Sequence, residues 1–184
     1  PVSYQSAPGV VLPILFNVPK SRSYGFETEL TARPVRGLTL SAVYSFLNAK
    51  YRRFSGVVDP ASSNAAPQNL AGADLPQSPR HRLTLNGIVT VGPFDFSATQ
   101  SWVGSQYYQI FNTAQYRAPP YANTQLQITF TPPEQRFRLI GRIDNVFDTT
   151  SYSYITSSAF TAGAVRSVMP RLPRVFSLEA RFKL

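Results

Sequence analysis

Nine residues near the C-terminus, FSLEARFKL (residues 176–184), decide the fold class because polar and apolar side chains alternate along them. In an extended chain the two kinds of side chain point to opposite faces. One face carries Phe176, Leu178, Ala180, Phe182 and Leu184, and the other carries Ser177, Glu179, Arg181 and Lys183. A period of two residues indicates a β-strand whose two faces meet different surroundings.

Six further segments alternate in the same way, at residues 24–31, 38–46, 82–91, 94–102, 125–130 and 137–144. The runs are about ten residues long, the length of a tilted strand that crosses a bilayer, whereas strands of soluble proteins average about five or six. The pattern predicts an all-β chain of about seven to eight long antiparallel strands in meander order. Its fold class is a segment of a transmembrane β-barrel, and we expect a partial barrel.

The connections between these segments alternate between short and long. Short ones lie at residues 32–36, 92–93 and 131–135, and long ones at 51–78, 106–119 and 149–170. Membrane barrels have short periplasmic turns and long outer loops. Only 15% of the residues are charged, against about a quarter in soluble domains.

Two other architectures explain part of this pattern. A soluble β-sandwich binding module explains the alternation, but it does not explain the strand length, the loop asymmetry or the low charge. A self-contained structural or adhesive barrel of about eight strands requires a first strand within residues 2–18, where Pro8, Gly9 and Pro13 interrupt the pattern.

The composition excludes several kinds of chemistry. The chain has no cysteine and one histidine, so it lacks disulfides, thiolate sites and multi-histidine metal sites. It has no glycine-rich phosphate loop and no nucleophile elbow. We therefore expect no enzyme, catalytic residue, metal site or cofactor, and a structural role for His81. Nucleic acid is not an expected partner, because the aromatic residues share a face with Leu and Val, opposite the arginines.

Charged side chains recur on the polar face of the predicted strands: Glu27, Glu29, Arg82, Arg138, Arg142, Asp144, Glu179 and Arg181. In one interpretation they form an ion ladder across neighbouring strands, in which Glu27 and Glu29 pair with arginines. In the other they attract an acidic ligand into a wet lumen. They are the candidate ligand-binding residues of this chain.

Basic and aromatic residues cluster near the strand ends. Five arginines fall in or beside the long connections and suit the phosphates of lipopolysaccharide: Arg52, Arg53, Arg117, Arg166 and Arg171. Nine aromatic residues are candidates for the interfacial girdle of a barrel, or alternatively for ordinary core packing: Tyr44, Phe46, Tyr51, Phe54, Trp102, Tyr107, Tyr108, Phe111 and Tyr121.

Four segments together resemble a known family. They are NVPKSRSYGFETELTARPVRGLTL (17–40, with a Gly-x-Glu-x-Glu core), LPQSPRHRL (75–83), DNVFD (144–148) and the final strand after a Pro-Arg pair (170–184). In sequence and order they are similar to the C-terminal part of the β-barrel of TonB-dependent outer-membrane receptors. The family's last residue is typically aromatic, whereas here it is Leu184.

The resemblance implies a location, a function and partners. Residues 1–184 would be the C-terminal part of the barrel, without the plug domain and the earlier strands, in the bacterial outer membrane. The intact receptor would import a nutrient such as an iron–siderophore. Its partners would be outer-membrane lipid and lipopolysaccharide, the TonB complex, the barrel-assembly machinery at the C-terminal strand, and the transported ligand. Open sheet edges are costly in lipid, so we expect that the chain alone does not insert stably.

Overall fold

The computed structural model describes residues 2–7, 10–14, 20–59, 66–160 and 163–183. The described residues form fifteen strands and one short 3₁₀ helix, Ala114–Tyr116. The strands are β1 (Val2–Ala7), β2 (Val10–Ile14), β3 (Lys20–Ala32), β4 (Leu38–Arg53), β5 (Ser55–Val57), β6 (Gln68–Asn69), β7 (His81–Val91), β8 (Phe94–Val103), β9 (Gln106–Tyr107), β10 (Arg117–Ala118), β11 (Tyr121–Phe130), β12 (Phe137–Asp144), β13 (Tyr152–Phe160), β14 (Gly163–Pro170) and β15 (Val175–Phe182). No helix among these residues is long and apolar enough to cross a membrane.

Seven of the strands form one antiparallel sheet in the order β15-β12-β11-β8-β7-β4-β3. Each strand pairs with its predecessor in the sheet, as in a meander, which confirms the predicted all-β fold. The three short turns lie at one end of the sheet and the three long connections at the other. The loop asymmetry predicted from the sequence is therefore present.

The sheet is open, with β3 and β15 at its two edges. The N-terminal strands β1 and β2 pair with each other in a separate two-stranded ribbon. Within the described residues nothing joins β3 to β15, so these strands do not close a small eight-stranded barrel. The proposed first strand of such a barrel reaches partly into residues 15–18, which lie outside the described residues.

Register places the predicted apolar side chains on one face of the sheet. Gly141 opposes Leu178, and Ile128 opposes Phe96. Leu178 is 82% exposed and Phe176 is 70% exposed, so no second layer of the described chain covers this face. A soluble sandwich requires such a layer, because its apolar face must be buried.

Aromatic rings gather at both ends of the apolar face. At the short-turn end, Phe94, Phe130, Phe137 and Phe182 form a row with centroid separations of 5.0, 6.0 and 6.4 Å. Near the long-loop end Phe26 lies 5.8 Å from the rings of both Tyr44 and Phe46. Two aromatic belts separated by an aliphatic band are the pattern of a strand wall that spans a bilayer.

Gly25, in the Gly-x-Glu-x-Glu segment, is required by the packing of β3 on β4. A Cβ atom built there would lie 2.0 Å from the backbone oxygen of Phe46. The glycine therefore allows the edge strand to approach its neighbour closely.

Candidate functional site

The buried part of the molecule lies in the long connections, at one end of the sheet. Rings and aliphatic side chains from the first two long connections form one cluster: Tyr51, Phe54, Val57, Leu70, Phe111 and Tyr116. A smaller cluster joins Tyr108 and Ala118 to Ile155 of β13. We call the three packed connections the loop body.

This packing corrects the girdle prediction for four aromatic residues. Tyr51, Phe54, Tyr108 and Phe111 are buried in the loop body and do not line the apolar face. The reason is that the pairing of β4 with β7 ends at Phe46, so the upper part of β4 is free to pack on the loops. Tyr121 begins β11 on the polar face, whereas Trp102 lies on the apolar face.

A buried carboxylate links the first two connections. Asp59 is 1% exposed; its Oδ1 accepts a 2.8 Å hydrogen bond from the Tyr116 hydroxyl and its Oδ2 a 3.1 Å bond from the Gln115 amide. Burial raises the pKa of the Tyr116 hydroxyl, and the hydrogen bond to Asp59 and the charge of that carboxylate raise it further. Arg166 of β14 donates a 3.1 Å bond to the Gln115 backbone oxygen, so all three connections meet here.

The DNVFD segment explains how the third connection is anchored. Asn145 is buried, has a left-handed backbone (φ 52°), and directs its amide nitrogen to the backbone oxygens of Thr149 (3.1 Å) and Leu172 (3.3 Å). Its Oδ1 accepts bonds from the Thr149 backbone and hydroxyl, both at 2.9 Å. Asp148 accepts a 2.8 Å bond from the Arg174 backbone. One side chain thus ties together both ends of the 30 residues between β12 and β15.

A cavity of about 550 Å³ lies between the polar face and the foot of the third connection. Strand residues of its wall include Ser101, Asn123 and Asp144. The Arg171 guanidinium covers it from the loop side, 4.9 Å from the centroid of the Tyr121 ring. The cavity therefore offers a cation, a carboxylate, hydroxyls and an amide to a polar ligand.

The eight predicted site residues all lie on the polar face, but they do not form one cluster. Glu27 and Glu29 are exposed on the edge strand β3, whereas Glu179 and Arg181 lie on β15 at the other edge. Six strand spacings of ~4.8 Å separate these edges along the sheet, or about 29 Å. Of the eight, only Asp144 contributes to the cavity under the third connection.

The ion pairs found among the described residues do not form the predicted cross-strand ladder. The ion pairs of the polar face run along single strands, Arg142–Asp144 at 3.0 Å and Arg181–Glu179 in closer contact. Across the strands, Arg138 faces Arg181 and donates to Thr131 at 3.2 Å. The strand register places no oppositely charged residue directly across from any of these side chains. The ion pairs therefore form between residues of the same strand.

Glu27 and Glu29 also lack the predicted arginine partners. No ion pair among the described residues includes either carboxylate. Ser45 lies between Glu27 and Arg82 in the cross-strand row, which puts the two charged residues about 10 Å apart at the backbone.

The excess positive charge lies at the long-loop end of the sheet. The eight predicted site residues comprise four arginines and four carboxylates, so their formal charges cancel. Outside these eight, ten of the 18 basic residues but only three of the nine acidic ones (Asp59, Asp74 and Asp148) lie at the long-loop end. The basic ones are Lys20, Arg22, Lys50, Arg52, Arg53, Arg80, Arg117, Arg166, Arg171 and Arg174. Anions are therefore attracted to the loop end and not to the strand wall.

His81 has structural partners. Its Nδ1 lies 2.8 Å from the Tyr44 hydroxyl, and its ring packs against Tyr44 and Phe46. Among the described residues, no group of three or more His, Asp or Glu side chains is arranged to hold a metal ion.

Sequence reasoning missed the hairpin formed by β13 and β14 within the third long connection. Its strands pair from Tyr152 with Pro170 to Phe160 with Gly163. The alternation of Tyr152 and Tyr154 with serines was the available signal, but Ile155 and a run of small residues interrupt it.

The comparisons with known proteins agree with this geometry. A family model described as "TonB dependent receptor-like, beta-barrel" matches residues 2–146, most of the chain. This chain belongs to that family. No curated protein matches it in sequence.

Solved structures of family receptors have the same fold. The ferric yersiniabactin uptake receptor FyuA from Yersinia pestis superposes with a TM-score of 0.68 at 18% identity over 88% of this chain. The siderophore receptor PiuA from Acinetobacter baumannii gives 0.64 at 17% identity over 87%. The outer membrane transporter YddB from Escherichia coli gives 0.60 at 15% identity over 89%. The chain spans 23%, 21% and 25% of these proteins, respectively.

Family membership assigns the two faces and the two ends of the sheet. TonB-dependent receptors are outer-membrane proteins of Gram-negative bacteria, and this chain is a segment of such a barrel wall. The exposed apolar face is then the lipid face, and the polar face lines the bore. The loop body lies at the extracellular end, because outer loops are long and periplasmic turns are short. The family consists of receptors, not of enzymes.

Proposed function

We propose that residues 1–184 form the C-terminal part of the barrel of a receptor that imports a nutrient by TonB-dependent transport, with iron–siderophore complexes as the substrate class. Three observations support the proposal. They are the family match, the siderophore receptors among the structural neighbours, and the four motifs in the family's order. The plug and the earlier strands of the barrel belong to the rest of the receptor in this proposal.

Within this chain, the proposal assigns ligand binding to the loop body. Its three connections are held together by buried rings and by the hydrogen bonds around Asp59. They therefore form one preorganised surface at the extracellular end. Binding sites are commonly built on loops that a rigid scaffold positions, and preorganisation lowers the entropic cost of binding. In this proposal the ligand passes from the loops into the bore through the cavity under the third connection, which is lined by polar groups.

In this mechanism the residues of the chain bind and guide the ligand. The net positive loop end attracts anionic iron complexes by long-range electrostatics. Arg171 and Tyr121 offer them a cation and an aromatic ring at the entrance to the bore, where the Asp144 carboxylate is paired with Arg142. Glu27, Glu29, Arg82, Arg138, Arg142, Glu179 and Arg181 provide a polar wall along which the plug and the ligand move. Energy delivered through the TonB complex would rearrange the plug.

Two further partners follow from the placement of the chain. β15 lies in the segment that resembles the family's final strand, and we propose that the barrel-assembly machinery recognises it. Lipid and lipopolysaccharide would surround the lipid face, with the outer arginines at the level of the lipopolysaccharide phosphates.

A transport assay tests the proposed function. Cells that lack the receptor, in iron-limited medium, would be supplied with ferric siderophores of the catecholate, hydroxamate and carboxylate classes. We expect the receptor to restore uptake of ⁵⁵Fe from at least one class, and only in cells with a functional TonB. Uptake that is unchanged by the receptor for every class, or that persists without TonB, contradicts the proposal.

Deletion of 153–169, which removes most of the β13–β14 hairpin and keeps Asn145, tests the loop body. We expect uptake to fall while heat-modifiable gel mobility shows a folded barrel. Replacement of the Thr131–Gln135 turn by another short turn is the matched control, because that turn lies at the periplasmic end.

A further inference from the structure

A cavity of about 610 Å³ opens at the extracellular end of β7 and β8. Its wall includes Trp102 and His81, which register places on the lipid face, and the loop residues Arg80, Tyr107 and Arg117. The strand part of its wall therefore belongs to the lipid face, at the level of the outer leaflet. Tryptophan and tyrosine are favoured at this level of a membrane protein, where lipid headgroups begin.

The cavity has more cationic than anionic groups. Among the described residues of its wall, Asp74 is the one carboxylate, and it binds Arg80 at 3.2 Å and Lys50 at 3.7 Å. Arg117 donates a 3.4 Å hydrogen bond to Ser105, and no ion pair among the described residues includes it. Both guanidinium groups are on exposed residues; Arg80 shares its charge with Asp74, whereas the charge of Arg117 is available to an anion. The planar guanidinium group fits a phosphate with two parallel hydrogen bonds.

Below this cavity the lipid face contains an apolar hollow of about 880 Å³. Its lining runs across six strands, from Leu40 of β4 to Leu178 of β15, and Gly87 and Ala98 are paired across β7 and β8 on its floor. Ala98 lies four residues below Trp102, or about 13 Å along the strand at ~3.3 Å per residue. A glycine inside a strand weakens it and often marks the close approach of a ligand.

A polar pair lies between the cavity and the hollow. Gln100 and Thr124 are on the lipid face, opposite each other, and their side chains are hydrogen-bonded. The Gln100 amide nitrogen reaches only the Ser101 backbone oxygen, at 3.5 Å, beyond the usual 2.7–3.2 Å range. An amide donor on a lipid-facing wall is costly unless an acceptor meets it.

We infer that β7 and β8 carry a binding site for one lipopolysaccharide molecule. Arg80 and Arg117 hold a phosphate, the Gln100 amide donates to an acyl carbonyl, and an acyl chain fills the hollow over Gly87 and Ala98. The vertical order of these three features matches a phosphorylated, acylated lipid of the outer leaflet. The inference rests on the proposed contact with lipopolysaccharide and assigns it to particular residues.

Native mass spectrometry of the receptor, purified in detergent from outer membranes, tests the site. Hexa-acylated lipid A is titrated into the sample, and the same lipid without its phosphates serves as the comparison. We expect one tightly bound lipid A, and about tenfold weaker binding after Arg80→Gln, after Arg117→Gln or after removal of the phosphates. Gly87→Leu, which fills the hollow, is expected to weaken binding as well.

Two matched substitutions are the controls. Arg174→Gln removes an exposed arginine at the same end of the sheet, outside the cavity, and Val91→Leu enlarges an apolar side chain outside the hollow. Neither is expected to change binding. Heat-modifiable gel mobility shows that each variant is folded, and Arg117→Gln breaks no ion pair among the described residues.

Three results would overturn the site. They are equal binding of lipid A with and without phosphates, equal binding by the cavity variants and the controls, and equally tight binding of phosphatidylglycerol. Uptake of ferric siderophore is measured in the same cells. Loss of lipid binding with normal uptake leaves the transport proposal intact, and the reverse result leaves the lipid site intact.

Discussion

The strand wall leaves its apolar side chains uncovered, whereas the loop body above it buries aromatic rings from separate connections. Every buried Ala, Val, Leu, Ile, Phe and Tyr residue among those described lies at the long-loop end, and Phe54 there is 1% exposed. The wall is joined by backbone hydrogen bonds and completed by lipid, as a bilayer requires. The loop body has a small core like that of a soluble domain. The wall is therefore stabilised by contact with lipid and the loop body by its own core. The same type of substitution should have different effects in the two regions.

The largest effect is expected from removing a ring from the loop body. Phe54→Ala should destabilise the loop body by about 3–5 kcal/mol, because it deletes a fully buried ring that packs 4.9 Å from Tyr51. Hydrogen exchange and limited proteolysis of residues 54–80 and 104–120 measure this. Phe176→Ala, on the lipid face, is the matched control and should leave loop protection unchanged. Equal loosening by both variants would contradict the separation of wall and loops.

A charge placed on either side of the wall tests the assignment of its faces. Leu178→Arg should cost about 2–4 kcal/mol in folding from lipid vesicles, because it puts a cation against hydrocarbon. Ser177→Arg, one residue away on the bore face, should cost little. Denaturant titration of the refolded barrel provides both values, and similar costs for the two variants would reverse or remove the lipid face.

Asn145 connects the two regions, so its loss should loosen the loops without unfolding the wall. Asn145→Ala removes a set of buried hydrogen bonds and should cost about 1–3 kcal/mol. Asn145→Gly keeps the left-handed backbone accessible and separates the backbone effect from the hydrogen bonds. Hydrogen exchange at Thr149 and at residues 172–174 is the measurement. Protection equal to wild type in both variants would refute the anchoring role.

The smallest expected effect is a pH dependence confined to the loop body. The folded loops hold the proton of Tyr116 more tightly than the unfolded chain, where tyrosine ionises near pH 10. The contribution of the protonated Tyr116 hydroxyl to the stability of the loop body is therefore fully present below about pH 10. It is lost as the pH rises above that value. Tyr116→Phe should reduce this dependence, to which Tyr51 also contributes because burial raises the pKa of its hydroxyl. Proteolysis rates between pH 8 and 11 would reveal the change. An identical alkaline loss in the variant would assign the effect to another group.

The wall was predictable from sequence because its chemistry is periodic. Alternation gave the seven strands and both faces, including the inward-facing Ile140, which interrupts the polar pattern. The alternating lengths of the connections placed the loops at one end. The four motifs gave the family.

The loop body was not predictable in the same way, because its contacts join residues far apart in sequence. Asp59 meets Tyr116 across 57 positions, and no period marks such a pair. Ion pairing was mispredicted because it depends on register, which places Arg138 opposite Arg181. The cavity under the third connection shares only Asp144 with the predicted site. Its loop side is formed by residues of that connection, whose position depends on the hydrogen bonds of Asn145.

The anchoring of both ends of the third connection at Asn145 has a practical consequence for surface display. The hydrogen bonds of Asn145 hold both ends of the third connection in place. The pairing of β12 with β15 is therefore independent of an insertion at the tip of the hairpin. A foreign epitope inserted between β13 and β14 should therefore be presented outside the cell on an otherwise unaltered barrel segment.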